Sequence, residues 1–348
     1  MNTYTLVSPV ANYLPADDQW WLCPESKLAL DVQYGSPDML LPLAENPKIT
    51  LGEGNTPLLE LKTLSRELGF RLWAKCEFFN PTGSFKDRGS VVEISKAIEL
   101  GKKGVVCAST GNMAASLSAY AAKTELGCIV VVPTKTPESK LQQALACGAD
   151  LKKVDGTYDQ CVIVAEEIAK TNDYFLCGDY VVRREGQKSI GWELAQENIT
   201  FDAVVVPVGN GTVGVAVMKG FDEKKGLKKM PRFIGIQAET VNPIEIAWKQ
   251  KQKIQPQKDT KTIASAFNVG NPLDGYLVLE WLKKTKGSMF TISDTEIEQA
   301  HEFLATKEGL FVETTAATTL AGVIKNRQQF QDQLVVLVLT GSGLKERR

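Results

Sequence analysis

Histidine is almost missing: His301 is the only one in 348 residues. A structural zinc site, a His-based triad and a di-histidine metal centre all need more than one His or a cysteine set, so none is expected. His301 sits in DTEIEQAHEFLATKEG with apolar Ile297, Phe303 and Leu304 around it, and reads as an ordinary helix residue. Cysteine pairs are missing too. Seven cysteines stand at 23, 76, 107, 128, 147, 161 and 177 without one Cys-x-x-Cys, which suits reduced, mostly buried thiols in a cytoplasm. No charge prevails. Lys plus Arg is 40 against 41 Asp plus Glu, so nothing pulls the chain toward nucleic acid or an anionic membrane. No apolar run approaches the roughly 18 residues of a membrane span. The N-terminal MNTYTLVSPVANYLPADDQWW has no positive region followed by an apolar core, so no signal peptide is expected. What these absences leave is a globular protein, 43% hydrophobic.

The rest of the chain alternates. Apolar runs at 103–109 (KGVVCAS), 128–133, 203–208 (AVVVPV), 233–237 and 334–343 (LVVLVLTGSG) predict buried parallel strands. Helix-like segments lie at 114–126, 139–149 and 159–170. The pattern is α/β, with helices covering parallel sheets, and the length suits two domains. Residues 1–50, with six prolines and the pair Trp20-Trp21, read as an irregular arm. The Gln/Lys-rich stretch 249–261 reads as an exposed loop or frayed helix end.

The chemistry gathers where predicted strands end, as in open α/β sheets. STGN (109–112) follows the first strand, GNGTVG (209–214) the third and TGSG (340–343) the last. GNGTVG matches the G-x-G-x-x-G dinucleotide fingerprint, and a strand reaching toward Glu239 follows it. Its mid-chain position, Pro207 before the first glycine, and two strand-end motifs without a role all weaken an NAD reading. A smaller claim survives: N–H groups at a helix N-terminus form a cradle for one phosphate. Elsewhere, FFNPTGSFKDRGS (78–90) sets Lys86 where a turn becomes a helix. Asn80-Pro81 signals the turn, and Thr82 or Ser84 is the candidate cap.

Taken together these parts suit one cofactor. A lysine at a bend can form an imine with an aldehyde, provided burial and dipoles favour its neutral amine. An aldehyde that also carries a phosphate is pyridoxal 5′-phosphate. Asn112 can donate to the ring's 3-oxygen, Thr340 can bond the pyridine nitrogen, and the Ser109–Thr110–Gly111 loop suits a substrate carboxylate.

The motifs LGEGNTPLL (51–59), NPTGSFKDRG (80–89), STGNMAASLSAYAA (109–122), REGQKS (184–189), VPVGNGTV (206–213), NVGNP (268–272), EGLFVETTAATTLAG (308–322) and LTGSGLK (339–345) stand in one order. The chain resembles the fold type II (β-family) pyridoxal-phosphate enzymes from about residue 50 to 345, and among them the threonine synthases. The resemblance implies a tryptophan synthase β-like fold: two open, twisted α/β domains with the cofactor in the cleft between them. It implies a large cofactor domain from 51–90 and 191–348, a small mobile domain at 91–190, and an arm at 1–50 without metal. It makes Lys86 the Schiff-base lysine beside Phe85, and Asn112 and Thr340 the ring partners. Val208, Gly209, Asn210, Gly211, Thr212 and Val213 become the phosphate cup. Substrate contacts fall to Ser109, Thr110, Gly111, Met113, Arg183 and Asn210. The implied reaction is the conversion of O-phosphohomoserine and water to threonine and phosphate, by a cytoplasmic lyase, as a homodimer, without nucleic acid or membrane partners.

The match frays on the substrate side. The family has Thr where this chain has Met113, and NSVNP-x-R where it reads CGDYVVR (177–183), so Cys177 and Gly178 replace Asn and Ser. TGHG has become TGSG with Ser342, GNPAS has become GNPLD, and only Cys23 is left of a zinc-ribbon-like N-terminus. Each donor lost to an anionic oxygen removes about 1.5–3 kcal/mol. The alternative is therefore a sister enzyme performing β-elimination or β-replacement on serine, threonine or O-phosphoserine, dehydratase-like or cysteate synthase-like. A degenerate binding protein is a further class, and retention of Lys86 speaks against it.

Overall fold

The structure is a computed structural model and describes residues 4–13, 22–36, 39–47, 49–258 and 261–346. Along the chain the elements are β1 (Tyr4–Val7), β2 (Asn12–Tyr13), β3 (Asp31–Tyr34), β4 (Leu58–Glu60), α1 (Lys62–Leu68), β5 (Arg71–Cys76), α2 (Lys86–Glu99), β6 (Gly104–Ala108), α3 (Asn112–Ala121), β7 (Gly127–Pro133), α4 (Gln142–Ala146), β8 (Asp150–Val154), α5 (Tyr158–Thr171), β9 (Tyr174–Leu176), α6 (Val181–Gln187), α7 (Ser189–Gln196), β10 (Ala203–Pro207), α8 (Thr212–Glu223), β11 (Arg232–Ala238), α9 (Pro243–Gln250), α10 (Gly275–Thr285), β12 (Ser288–Ile292), α11 (Asp294–Glu308), α12 (Thr314–Lys325) and β13 (Leu334–Leu339). They form two compact units, one of Met1–Glu53 and Asn80–Gln187, the other of Gly54–Phe79 and Lys188–Arg348.

The first unit carries a parallel sheet in the order β8-β7-β6-β9. Every residue of β6 is buried, which is why GVVCA reads as one continuous apolar run. The chain leaves β6 toward β7 on one side, while β9 lies on the other. The order therefore reverses between β6 and β9, where open α/β sheets bind ligands at the carboxyl ends. The loops after these two strands are STGN and CGDY. Within the arm of residues 1–50, expected to be irregular, Tyr4–Val7, Asn12–Tyr13 and Asp31–Tyr34 instead form the small antiparallel sheet β2-β1-β3. Trp20 and Trp21 lie outside the described residues.

Helices α2 and α6 of this unit cross at glycines. A Cβ on Gly89 would stand 2.5 Å from Arg183 Cγ, and one on Gly186 would stand 2.1 Å from the Arg88 carbonyl oxygen. The close crossing accounts for the glycines of KDRG and REGQ. It also groups residues 80–90 with the first unit, where the sequence reading had joined them to the later half. Gly186→Ala forces the two backbones apart and is expected to cost about 1–3 kcal/mol, read as a lower urea midpoint.

The second unit carries the sheet β12-β11-β10-β13-β5-β4, parallel except for β4. Its centre is buried on both faces: all of β10 and all of β13 beyond Leu334. The strand order reverses between β10 and β13. GNGT and TGSG therefore leave neighbouring strands at their carboxyl ends. The stretch 249–261 begins as the end of α9. Lys251, at φ +53°, stops the helix, and residues 252–258 run without regular structure; Asp259 and Thr260 lie outside the described residues. His301 is buried on α11, its Nε2 2.8 Å from the Val312 carbonyl oxygen.

Candidate active site

The bend that presents Lys86 is built by its own neighbours. The Gly83 N–H closes a turn onto the Asn80 carbonyl at 2.7 Å, with Gly83 at φ +82°. Neither hydroxyl caps α2, contrary to the sequence expectation. Asp87, in the first turn, reaches back and accepts from the Thr82 N–H at 2.7 Å and the Thr82 hydroxyl at 2.5 Å. A carboxylate here also meets the positive end of the helix. The Asp of KDRG thus braces the loop before Lys86, and Phe85 is buried beside it. Ser84 Oγ is fully buried and finds no partner among the described residues.

Lys86 Nζ pairs with Asp179 Oδ1 at 2.5 Å, with the lysine side chain 15% and the aspartate 28% exposed. Burial alone would raise the Asp179 carboxyl; the Lys86 charge and hydrogen bond outweigh it and hold Asp179 below the ordinary range. Asp179 was not singled out from sequence. Its only signal there was that CGDYVVR departs from the resemblance.

The expected substrate residues separate in this unit. Ser109, Thr110 and Asn112 are partly exposed around exposed Gly111, at the start of α3, and Ser109 Oγ accepts the Gly111 N–H at 3.3 Å. Met113, one position on, is turned into the core with Val91, Cys107 and Leu117. Cys177 is likewise core, and burial pushes its thiol well above the ordinary value. Arg183 is not an exposed fork. Its side chain is 0% exposed, Nη1 donates to the Lys86 carbonyl at 3.1 Å, and Nη2 donates to Ser90 Oγ at 3.2 Å and to Glu93.

In the second unit, the 208–213 loop has the form of a cradle. Gly211 precedes α8 at φ +101°, and no side chain caps this helix. A Cβ on Gly211 would stand 2.8 Å from Val278 Cγ2, and one on Gly209 would stand 2.5 Å from the Ala266 carbonyl oxygen. Val208, Thr212 and Val213 are buried. Asn210 shapes the loop: its Oδ1 accepts the Leu273 N–H at 2.7 Å, and its Nδ2 lies 3.3 Å from Thr212 Oγ1. Thr340 closes β13, buried, its hydroxyl 3.1 Å from Glu313 Oε1. Gly341 leaves room for that carboxylate, since a Cβ there would meet it at 2.4–2.5 Å. Glu313 is a second residue that sequence reasoning passed over; the run ETTAAT reads as a helix start and nothing more.

Residues 49–341 match the family described as pyridoxal-phosphate dependent enzyme. The chain belongs to this family. Among relatives of this pyridoxal-phosphate enzyme, the threonine synthase of Methanocaldococcus jannaschii is 40% identical, covering 88% of this chain and 79% of that one. The threonine synthase of Bacillus sp. (strain ULM1) is 39% identical, covering 90% and 89%. That of Mycobacterium tuberculosis is 36% identical, covering 86% and 84%. Among solved structures, maize serine racemase superposes with a TM-score of 0.76 at 21% identity, covering 83% of this chain and 88% of that one. Threonine deaminase isoform 2 from Solanum lycopersicum gives 0.74 at 23%, covering 82% and 79%. At such identities the two structures establish the shared fold type II architecture. The dinucleotide reading of GNGTVG is therefore set aside, and the cofactor of the family is pyridoxal phosphate.

The residues present fit that cofactor. An uncapped helix N-terminus behind two glycines, each hemmed in where a Cβ would grow, leaves backbone N–H groups open to one phosphate and no room for a side chain in their place. Gly211→Ala adds both the 2.8 Å contact and a strained φ. We expect it to weaken cofactor binding about tenfold or more, measured by titrating apoprotein with pyridoxal phosphate and following absorbance.

Proposed function

We propose that this protein is a threonine synthase, converting O-phosphohomoserine and water to threonine and phosphate. The observation that carries the reading is 36–40% identity to proteins of that name over 86–90% of the chain. In this reading Lys86 binds the cofactor covalently between turnovers, with Phe85 beside it. Residues 208–213 hold its phosphate, while Asn112 and Thr340 serve the ring oxygen and nitrogen. The N–H groups and hydroxyls of Ser109, Thr110 and Gly111 take the substrate carboxylate. When bound, the cofactor supplies an electron sink for the charge that builds at the substrate's α-carbon.

The chain's own contribution is then proton handling. Lys86 would be the base that removes the α-proton and serves the β- and γ-carbons in turn. In the net reaction the C–O bond to phosphate breaks, the γ-carbon gains a proton, and water supplies the β-hydroxyl. Asp87 and the turn it braces support this role by fixing where Lys86 stands.

A panel of O-phosphohomoserine, O-phosphoserine, serine, threonine and O-acetylserine, with product identification, tests the assignment. Threonine and phosphate in equal amounts from the first substrate alone is the expected result. Turnover of a smaller hydroxy- or acyl-amino acid, with O-phosphohomoserine ignored, would overturn it and leave the family standing. The unpaired cysteines support a cytoplasmic setting. The homodimer implied by the resemblance is checked by light scattering of the purified protein.

A further inference from the structure

The donors best suited to a distal phosphate in the 177–183 segment already hold an anion, and the anion is part of the protein. Glu93 lies seven residues beyond Lys86 on α2, so it shares that helix face. Its side chain is 1% exposed. Oε2 is paired with Arg183 Nη2, and Oε1 accepts the Gly178 N–H at 3.0 Å. A guanidinium with a main-chain N–H is a donor set for an oxyanion, and here both ends of one carboxylate fill it. Arg184, the next residue, is turned away to the Leu30 carbonyl and Asp31. Burial raises the Glu93 carboxyl above its ordinary range, with Arg183 opposing the shift.

We propose that Glu93 is a specificity-determining residue: an internal carboxylate that occupies Arg183 and the Gly178 N–H, which a substrate's distal phosphate can engage only by displacing it. The inference rests on the threonine synthase reading and deepens it. Binding of O-phosphohomoserine to the native protein then comes mainly from its α-amino and carboxylate groups, and the distal phosphate is gripped weakly. Free inorganic phosphate has no reason to bind here. Removing the carboxylate leaves a buried guanidinium and an N–H facing a space of carboxylate size, which an external oxyanion can fill.

The test compares the holoenzyme of wild type, Glu93→Ala and the near-isosteric Glu93→Gln. Thermal unfolding is followed with added inorganic phosphate, against chloride at equal ionic strength. Phosphate is expected to stabilise Glu93→Ala and leave wild type unmoved. The KM for O-phosphohomoserine is expected to fall about tenfold in Glu93→Ala, with phosphate becoming a competitive inhibitor. If Glu93→Ala does not fold, the KM and phosphate response of Glu93→Gln, in which the competing charge is gone, decide in the same direction. Phosphate that stabilises wild type as strongly as the variants, or variants whose KM and phosphate response match wild type, would overturn the proposal. A wild type that makes no threonine sinks the functional reading instead. The thermal measurement on phosphate stands apart from that outcome.

Discussion

Lys86→Ala is expected to fold, to fail to hold pyridoxal phosphate after borohydride reduction, and to lose turnover by orders of magnitude. The fold is expected to survive because the partner left behind, Asp179, is partly exposed and can regain hydration, so losing the pair costs about 1 kcal/mol. The brace at Thr82 and Asp87 does not involve the Lys86 side chain. In the proposed reading the chemistry does not survive, because one amine would both attach the cofactor and move the protons. Proton transfer by a placed base is alone worth about 10²–10⁴-fold. Circular dichroism, absorbance and threonine formation on the same preparation separate these effects. A variant that keeps covalent cofactor, or keeps turnover within tenfold, would move the attachment site elsewhere.

Arg183→Ala is expected to show its main effect on stability. The resemblance alone makes Arg183 a substrate ligand whose loss appears in kcat/KM. In the structure its guanidinium is buried against Glu93, Ser90 and the Lys86 carbonyl, so truncation leaves a buried carboxylate without its counter-charge. Breaking such a pair from one side costs about 3–5 kcal/mol. Glu93→Ala combined with Arg183→Ala removes both charges and should lose clearly less than the sum of the single changes. Urea denaturation of the four proteins gives the coupling. Additive losses, or an Arg183→Ala protein as stable as wild type, would show that the pair contributes little.

The sequence spoke clearly where local pattern and structure share one cause. Buried parallel strands such as AVVVP and VVLVL are apolar throughout because both faces are covered, and the loops that follow them carry the glycines that a cradle requires. The bend before Lys86 was announced by Asn80-Pro81 and Gly83. It spoke poorly where a role depends on a partner far along the chain. Arg183 and Glu93 are 90 positions apart, Lys86 and Asp179 are 93, and no periodicity links them. Met113 shows a different limit. One step beyond Asn112 on a helix is about 100° of rotation, enough to turn a residue from the loop into the core. The N-terminal strands were missed because Tyr4–Val7 and Asp31–Tyr34 are four residues each, too short for alternation to stand out.

One measurement reaches the central claim directly. Holoenzyme is given O-phosphohomoserine in water enriched in oxygen-18, and both products are analysed by mass spectrometry. If Lys86 serves a replacement at the β-carbon, the label enters the hydroxyl of threonine and the released phosphate carries none. Labelled phosphate with homoserine would reveal simple phosphate-ester hydrolysis, and 2-oxobutanoate without threonine would reveal elimination alone; either result would contradict the account.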